Sequence, residues 1–141
     1  AAPHLLQPVA KAHQFLTFTT PPNLQAAVAY GLGKDDAYFT GLAATLQGKR
    51  DRLAAGLAAA GLTVLPSAGT YFVAADIGAT GFDGDDQAFC RWLTAEAGVA
   101  AIPVSAFYVE NAPSTVIRFC FSKSDAMLDE AVARLTRRFA R

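Results

Sequence analysis

The chain has 141 residues, of which 52% are hydrophobic, 17% charged and 11% aromatic, which excludes a disordered tail and allows one domain with a filled core. Its 12 basic and 12 acidic residues cancel, so no global field exists to collect nucleic acid or anionic lipid, and the expected ligand is small. Only Cys90 and Cys120 are present, in apolar contexts without metal-ligand spacing, which argues against a disulfide framework or a metal site and for a reducing cytoplasm.

Taken in chain order, the opening Ala1-Ala2-Pro3, without Met, fits a piece cut from something longer, and no charged region followed by an apolar run marks a signal peptide. Pro3 or Pro8 can open a first helix, because a missing N–H costs nothing in the first turn, and Val9, His13 and Leu16 then share a face. Thr20-Pro21-Pro22 stops that helix and starts a short one, with Thr20 as its N-cap and Leu24, Val28 and Leu32 along it. Tyr38, Leu42, Leu46, Leu53 and Leu57 then fall on one stripe, with Gly61 where a helix is left, predicting a long amphipathic helix.

From Leu62 the period becomes that of a strand. Thr63-Val64-Leu65 and Tyr71-Phe72-Val73-Ala74 predict a hairpin reversed tightly through Pro66-Ser67-Ala68-Gly69. The acidic, glycine-containing stretch 81–86 leads into a helix with Phe89, Trp92 and Leu93 inward, ended by Gly98. Ala100-Ala101-Ile102 gives a short strand and residues 115–121 a stronger one. Residues 98–109, the most apolar stretch, are too short to span a bilayer and contain Pro103, so a soluble protein without a membrane partner is expected. Ser122 and Asp125 have capping-box spacing for a last helix that carries Leu128, Val132, Leu135 and Phe139 and ends on Arg134, Arg137, Arg138 and Arg141. This order predicts an α+β fold, with a small mixed or antiparallel sheet covered by helices on one face and preceded by the long helix as brace or link.

Residues 115–121 carry the strongest chemical signal. Ile117, Phe119 and Phe121 point one way and Val116, Arg118 and Cys120 the other, so a lone guanidinium leaves a strand face with no other charge near it. Such a group cannot lose its proton, and leaving it desolvated without an anion costs several kcal/mol; it therefore calls for a carboxylate or phosphate held by two parallel hydrogen bonds. Two alternatives stay open: a structural ion pair with Asp76 or another acid, or an edge strand from which Arg118 reaches water. The loop 103–108 places Ser105, Phe107 and Tyr108 beside this strand, where they line a pocket or close a turn on the core, and Tyr71 either projects toward the same place or packs elsewhere. His4 and His13 lack any motif partner, no glycine loop or nucleophile elbow occurs, and Lys49, Arg50, Asp51 and Arg52 read as the solvated side of the long helix. The chain thus offers an anion clamp without a nucleophile or general base.

Four ordered segments, namely residues 13–25, Gly69-Thr70-Tyr71-Phe72, residues 98–108 and Ile117-Arg118-Phe119-Cys120-Phe121, resemble the class I/II aminotransferases of fold type I, most closely the methionine and kynurenine branch. The resemblance implies transfer of an amino group between an amino acid and a 2-oxo acid through pyridoxal 5'-phosphate, in a homodimer. It implies that Arg118 binds the substrate α-carboxylate, and that the segments Tyr71-Phe72 and Ser105-Ala106-Phe107-Tyr108, with Tyr71, Ser105 and Phe107 foremost, lie near an apolar or sulfur-containing substrate side chain. Thr19 and Thr20 become contacts to the cofactor phosphate of the neighbouring subunit. The family's cofactor-anchoring lysine would precede Ala1, since Lys11, Lys34, Lys49 and Lys123 lack its setting, and without that anchor there is no electron sink. The implied organisation is a tail of the large domain over 1–33, a connecting helix over 34–61 and the small C-terminal domain over 62–141, inactive alone. The residues by themselves leave another reading: a freestanding α+β module that binds a carboxylate or amino acid without chemistry.

Overall fold

In the computed structural model, which describes residues 2–139, Pro3 rather than Pro8 opens helix α1 (Pro3–Leu16), and Pro8 sits inside it. Helix α2 (Pro22–Leu32) follows, but Thr20 is not its N-cap. A residue before proline is kept out of the helical region, so Pro21 stays extended (φ −52°, ψ 143°) and takes the cap position without a side-chain hydrogen bond. Gln25 compensates by donating from Nε2 to the Thr20 carbonyl at 2.6 Å and to Thr19 Oγ1 at 3.4 Å. Neither α1 nor α2 buries a side chain; Val9, Phe15, Leu16, Leu24 and Val28 are all exposed.

Helix α3 (Asp36–Ala59) begins under Asp35, whose carboxylate accepts from the Tyr38 N–H at 3.0 Å. The chain divides into two compact units between Thr40 and Gly41, within this helix. Of the predicted stripe only Leu53 and Leu57 are buried; Leu46 packs at the core's margin, and Tyr38 and Leu42 are exposed. The helix ends as the sequence indicates. Gly61 has φ +94°, the Leu62 N–H reaches the Leu57 carbonyl and the Gly61 N–H reaches that of Ala58. This is a Schellman closure, in which buried Leu62 packs back toward buried Leu57.

From Leu46 to Phe139 the buried side chains form one core. Strands β1 (Thr63–Val64), β2 (Phe72–Asp76), β3 (Ile102–Pro103) and β4 (Val116–Cys120) form an antiparallel sheet in the order β1-β2-β4-β3. The fold is α+β, and of the two sheet types expected it takes the antiparallel one. The β1–β2 reversal is wider than the tight turn expected. Residues 65–71 lie outside the strands because Ser67 Oγ bonds the carbonyls of Gly69 and Phe72, and Arg50 Nη1 donates to the Ser67 carbonyl at 2.9 Å. The third strand is also displaced, to Ile102–Pro103 from the expected 100–102. It lies at the sheet's edge, where proline's missing N–H is tolerated.

Helix α4 (Asp86–Ala97) is capped by Asp85, which accepts from the Ala88 N–H at 2.7 Å. Helix α5 (Asp125–Phe139) is capped by Ser124, not Ser122, since the Met127 N–H bonds Ser124 Oγ at 3.3 Å. Lys123 still bonds back to the Phe121 carbonyl, which keeps the chain from turning into helix at Ser122. Arg141 of the expected basic end lies outside the described residues.

Val73, Ala75, Ile117 and Phe119 of the sheet meet Leu53, Leu57, Phe89, Leu93, Leu128 and Leu135 of the three helices. Each large side chain buried there contributes roughly 1.5–3 kcal/mol. Phe82, Trp92 and Phe139 extend the core around Phe89. Burial pushes the Cys90 thiol up to about 11, so it behaves as a small apolar side chain. Helices α3 and α5 approach closely at Gly56, where a Cβ would collide with the Val132 side chain. Exposed ion pairs, Lys49 with Asp125 and Arg52 with Asp129, join the same two helices, so part of the presumed solvated side is partnered.

Candidate functional site

Alternation along β4 buries Ile117 and Phe119 and leaves Val116, Arg118 and Cys120 half-buried on the other face. Because β4 lies between β2 and β3, Arg118 is not on an edge; it stands opposite Ala74 on one side and Ile102 on the other. Two aromatic rings bracket its guanidinium. Phe72, from β2, lies 4.1 Å from the Arg118 Cζ, and Phe107, from the connection after β3, lies 4.4 Å away. Stacking of this kind is worth about 0.5–1 kcal/mol where exposed and more when desolvated.

The Arg118 Nε is buried and has no hydrogen-bond partner. Among the described residues Arg118 enters no ion pair. Asp76, the acid first suspected as its partner, is committed elsewhere: Thr115 Oγ1 and the Gly78 N–H each donate to it at 2.7 Å, which holds its carboxyl below the usual range. A buried donor left unpaired costs about 1–3 kcal/mol, more on a charged group. The arrangement therefore leaves a planar cation, lying against two rings and one donor short, on a sheet face whose one acid, Asp76, is already taken up.

Tyr71 stands just before β2, half exposed, with its ring 4.5 Å from that of Phe72 and its carbonyl accepting from the Phe121 N–H. Ser105 sits in a short 3-10 turn (Val104–Phe107), but its hydroxyl donates to Asp86 Oδ1 at 2.7 Å and its N–H to Asp86 Oδ2 at 2.8 Å. Tyr71, Phe72, Phe107 and Arg118 thus form one run of contacts, whereas Ser105 serves it by fixing the turn. Thr19 and Thr20 belong to the N-terminal unit, between α1 and α2, where Thr19 Oγ1 donates to the Thr20 carbonyl. Phe72, which the resemblance places with Tyr71 near the substrate, shares the face of Arg118 by strand alternation. One residue escaped the sequence reading of the site: buried Asp86 gave no local signal, because an aspartate in a helix's first turn is ordinarily exposed.

A cavity of about 570 Å³ lined by Leu53, Phe119, Cys120, Met127 and Arg134 includes none of the ring-bracketed arginine's partners. Among the described residues no group of three His, Cys, Asp or Glu could hold a metal, and no helix is long and apolar enough to cross a membrane.

Residues 2–135 match the family model described as aminotransferase class I and II. The chain is 41% identical over 141 residues to a probable N-succinyldiaminopimelate aminotransferase of Mycobacterium tuberculosis, covering 94% of this chain and 35% of that protein. It is 40% identical over 127 residues to the methionine aminotransferase of Escherichia coli, covering 90% and 33%. The solved structure of N-succinyldiaminopimelate aminotransferase from Mycobacterium tuberculosis superposes with a TM-score of 0.80 at 43% identity, over 95% of this chain and 35% of that one. The chain therefore spans about a third of the length of these relatives.

Proposed function

The chain belongs to the class I and II aminotransferases, whose members use pyridoxal 5'-phosphate, and from that premise we propose that it is the carboxylate-binding portion of a longer transaminase. The parent moves an amino group between an amino acid and a 2-oxo acid. One observation carries the reading: a guanidinium in the middle of a sheet, bracketed by Phe72 and Phe107, with its Nε buried and unpartnered. A substrate α-carboxylate supplies the missing acceptor and takes two parallel hydrogen bonds. With Phe72 and Phe107 lying against the guanidinium, the acid meets the directions those rings leave open and the amino acid is held in one orientation.

Exposed aromatic surface at Tyr71, Phe107 and Tyr108 favours apolar or sulfur-containing substrate side chains. The cofactor, when bound, supplies the electron sink for bond breaking at the substrate's α-carbon. In this chain the donor set at Arg118 fits the substrate acid, while Thr19 and Thr20 would contact the cofactor phosphate in a neighbouring subunit. On this reading the anchoring lysine belongs to another part of the protein; of this chain's own lysines, Lys49 is paired with Asp125 and Lys34 donates to the Tyr30 hydroxyl. In this reading residues 1–33 are the tail of the large domain, 34–61 the connecting helix and 62–141 the small domain of a cytoplasmic homodimer. Relatives named as aminotransferases and transaminases support this over a freestanding binding module.

The test is Arg118→Gln in the full-length protein, with the isolated chain as a second arm. Loss of a desolvated, charged hydrogen-bonded pair should lower kcat/KM for amino acids about a hundredfold and erase the preference for an amino acid over its decarboxylated amine. The isolated chain should turn over no substrate. An unchanged kcat/KM in the variant, or turnover by the chain alone, rejects the proposal.

A further inference from the structure

We propose that Asp86 is the positioning residue of the carboxylate site: it holds Phe107 over Arg118 and so fixes the orientation in which the guanidinium meets its ligand. The inference rests on the reading of Arg118 given above and adds to it a residue that touches neither substrate nor cofactor.

Asp86 is fully buried in the first turn of α4. That helix does not need its side chain, because the preceding Asp85 already caps it through the Ala88 N–H. Both carboxylate oxygens go instead to one residue 19 positions away. Oδ2 accepts the Ser105 N–H at 2.8 Å and Oδ1 the Ser105 hydroxyl at 2.7 Å. The Asp86 N–H in turn donates to the Ser114 carbonyl at 2.7 Å, in the segment that leads into β4. One residue therefore ties the start of α4, the turn that carries Phe107 and the approach to the strand that carries Arg118.

The need for such a tie is visible in Phe107. The residue is 60% exposed, so burial does not hold it, yet its ring stands 4.4 Å from the guanidinium carbon. Phe72 is held by its own strand and the ladder to β4. Phe107 has only the turn, and the turn is fastened at Ser105. Asparagine at position 86 would offer one acceptor oxygen and turn an amide donor toward the second Ser105 donor, loosening the turn without removing its volume. A charge-assisted pair of bonds is also the stronger kind, which suits a clamp on an exposed segment.

The experiment uses the full-length protein with its cofactor, in three variants: Asp86→Asn, Ser105→Ala and Arg118→Gln. Steady-state kinetics give KM and kcat for an amino acid, and calorimetry gives Kd for 4-methylpentanoate, an unreactive acid with an apolar tail. Since misplacing a binding group by about an ångström can cost up to a hundredfold, Asp86→Asn is expected to raise KM and Kd at least about tenfold while kcat changes little. Ser105→Ala, which keeps the backbone bond to Asp86, should raise both by a smaller factor. A merely structural role would lower the folded fraction and kcat and leave KM and Kd unchanged, which overturns the proposal. If Asp86→Asn does not fold, Ser105→Ala decides: an unchanged Kd overturns it. If Arg118→Gln leaves Kd unchanged, the reading of Arg118 itself fails, and that outcome is distinct from an Arg118 effect without an Asp86 effect.

Discussion

Replacing Arg118 by methionine should make the strand pair around it more stable while removing carboxylate affinity. Methionine has a similar reach and can keep contact with the rings of Phe72 and Phe107, now 4.1 and 4.4 Å from the guanidinium carbon. It brings no donor, so the cost of the unpaired Nε, about 1–3 kcal/mol, disappears. Against that gain stands the loss of two cation–ring contacts, about 0.5–1 kcal/mol each, partly regained as sulfur–aromatic contacts of about 0.3–1.5 kcal/mol. The balance favours the variant by about 1 kcal/mol. Amide hydrogen exchange of the ligand-free full-length protein reads this locally, over residues 72–76 and 116–120, where the β2–β4 ladder runs. Protection should rise by roughly fivefold to tenfold, since 1.4 kcal/mol is a factor of ten. Protection that falls by a similar factor would mean the arginine is already satisfied without ligand, and the argument for a missing anion would go with it.

Two further outcomes test the surrounding fold. Gly56→Ala should destabilise the protein by about 1–3 kcal/mol through overpacking against Val132, and Val132→Ala should relieve much of the loss in the double variant, as thermal unfolding of the single and double variants will show. Asp76, whose folded-state pKa is depressed by the Thr115 hydroxyl and the Gly78 N–H, contributes stability that is present above its ordinary value of 3.8 and lost as pH falls through the lower folded value. Urea unfolding of wild type and Asp76→Asn across this acid range should therefore converge at the low end; a gap that stays constant with pH would refute that assignment.

Periodicity alone carried much of the architecture. Leu53 and Leu57 at helical spacing, and Ile117, Phe119 and Phe121 at strand spacing, are buried as their pattern requires, because each element shows its neighbours one repeating face. Gly61 and Gly98 end their helices for a reason written in the residue itself, the freedom to take positive φ. The same alternation set Arg118 apart on the face opposite Phe119 and Phe121. What the sequence could not supply was the identity of its surroundings. That β4 lies inside the sheet, that Asp76 is taken up by Thr115 and Gly78, and that Phe72 and Phe107 close on the cation from flanking segments are long-range facts. Local signals likewise misplaced the N-caps at Thr20 and Ser122, where consecutive prolines and a strand exit outweighed the side chain's propensity. Asp86 shows the limit most plainly: its neighbours in sequence mark it as one acid among three before a helix, and only the fold brings Ser105 within reach of both its oxygens. Composition and period act through nearest neighbours along the chain, whereas a binding group is made by residues far apart in sequence that the packed sheet brings to a few ångströms.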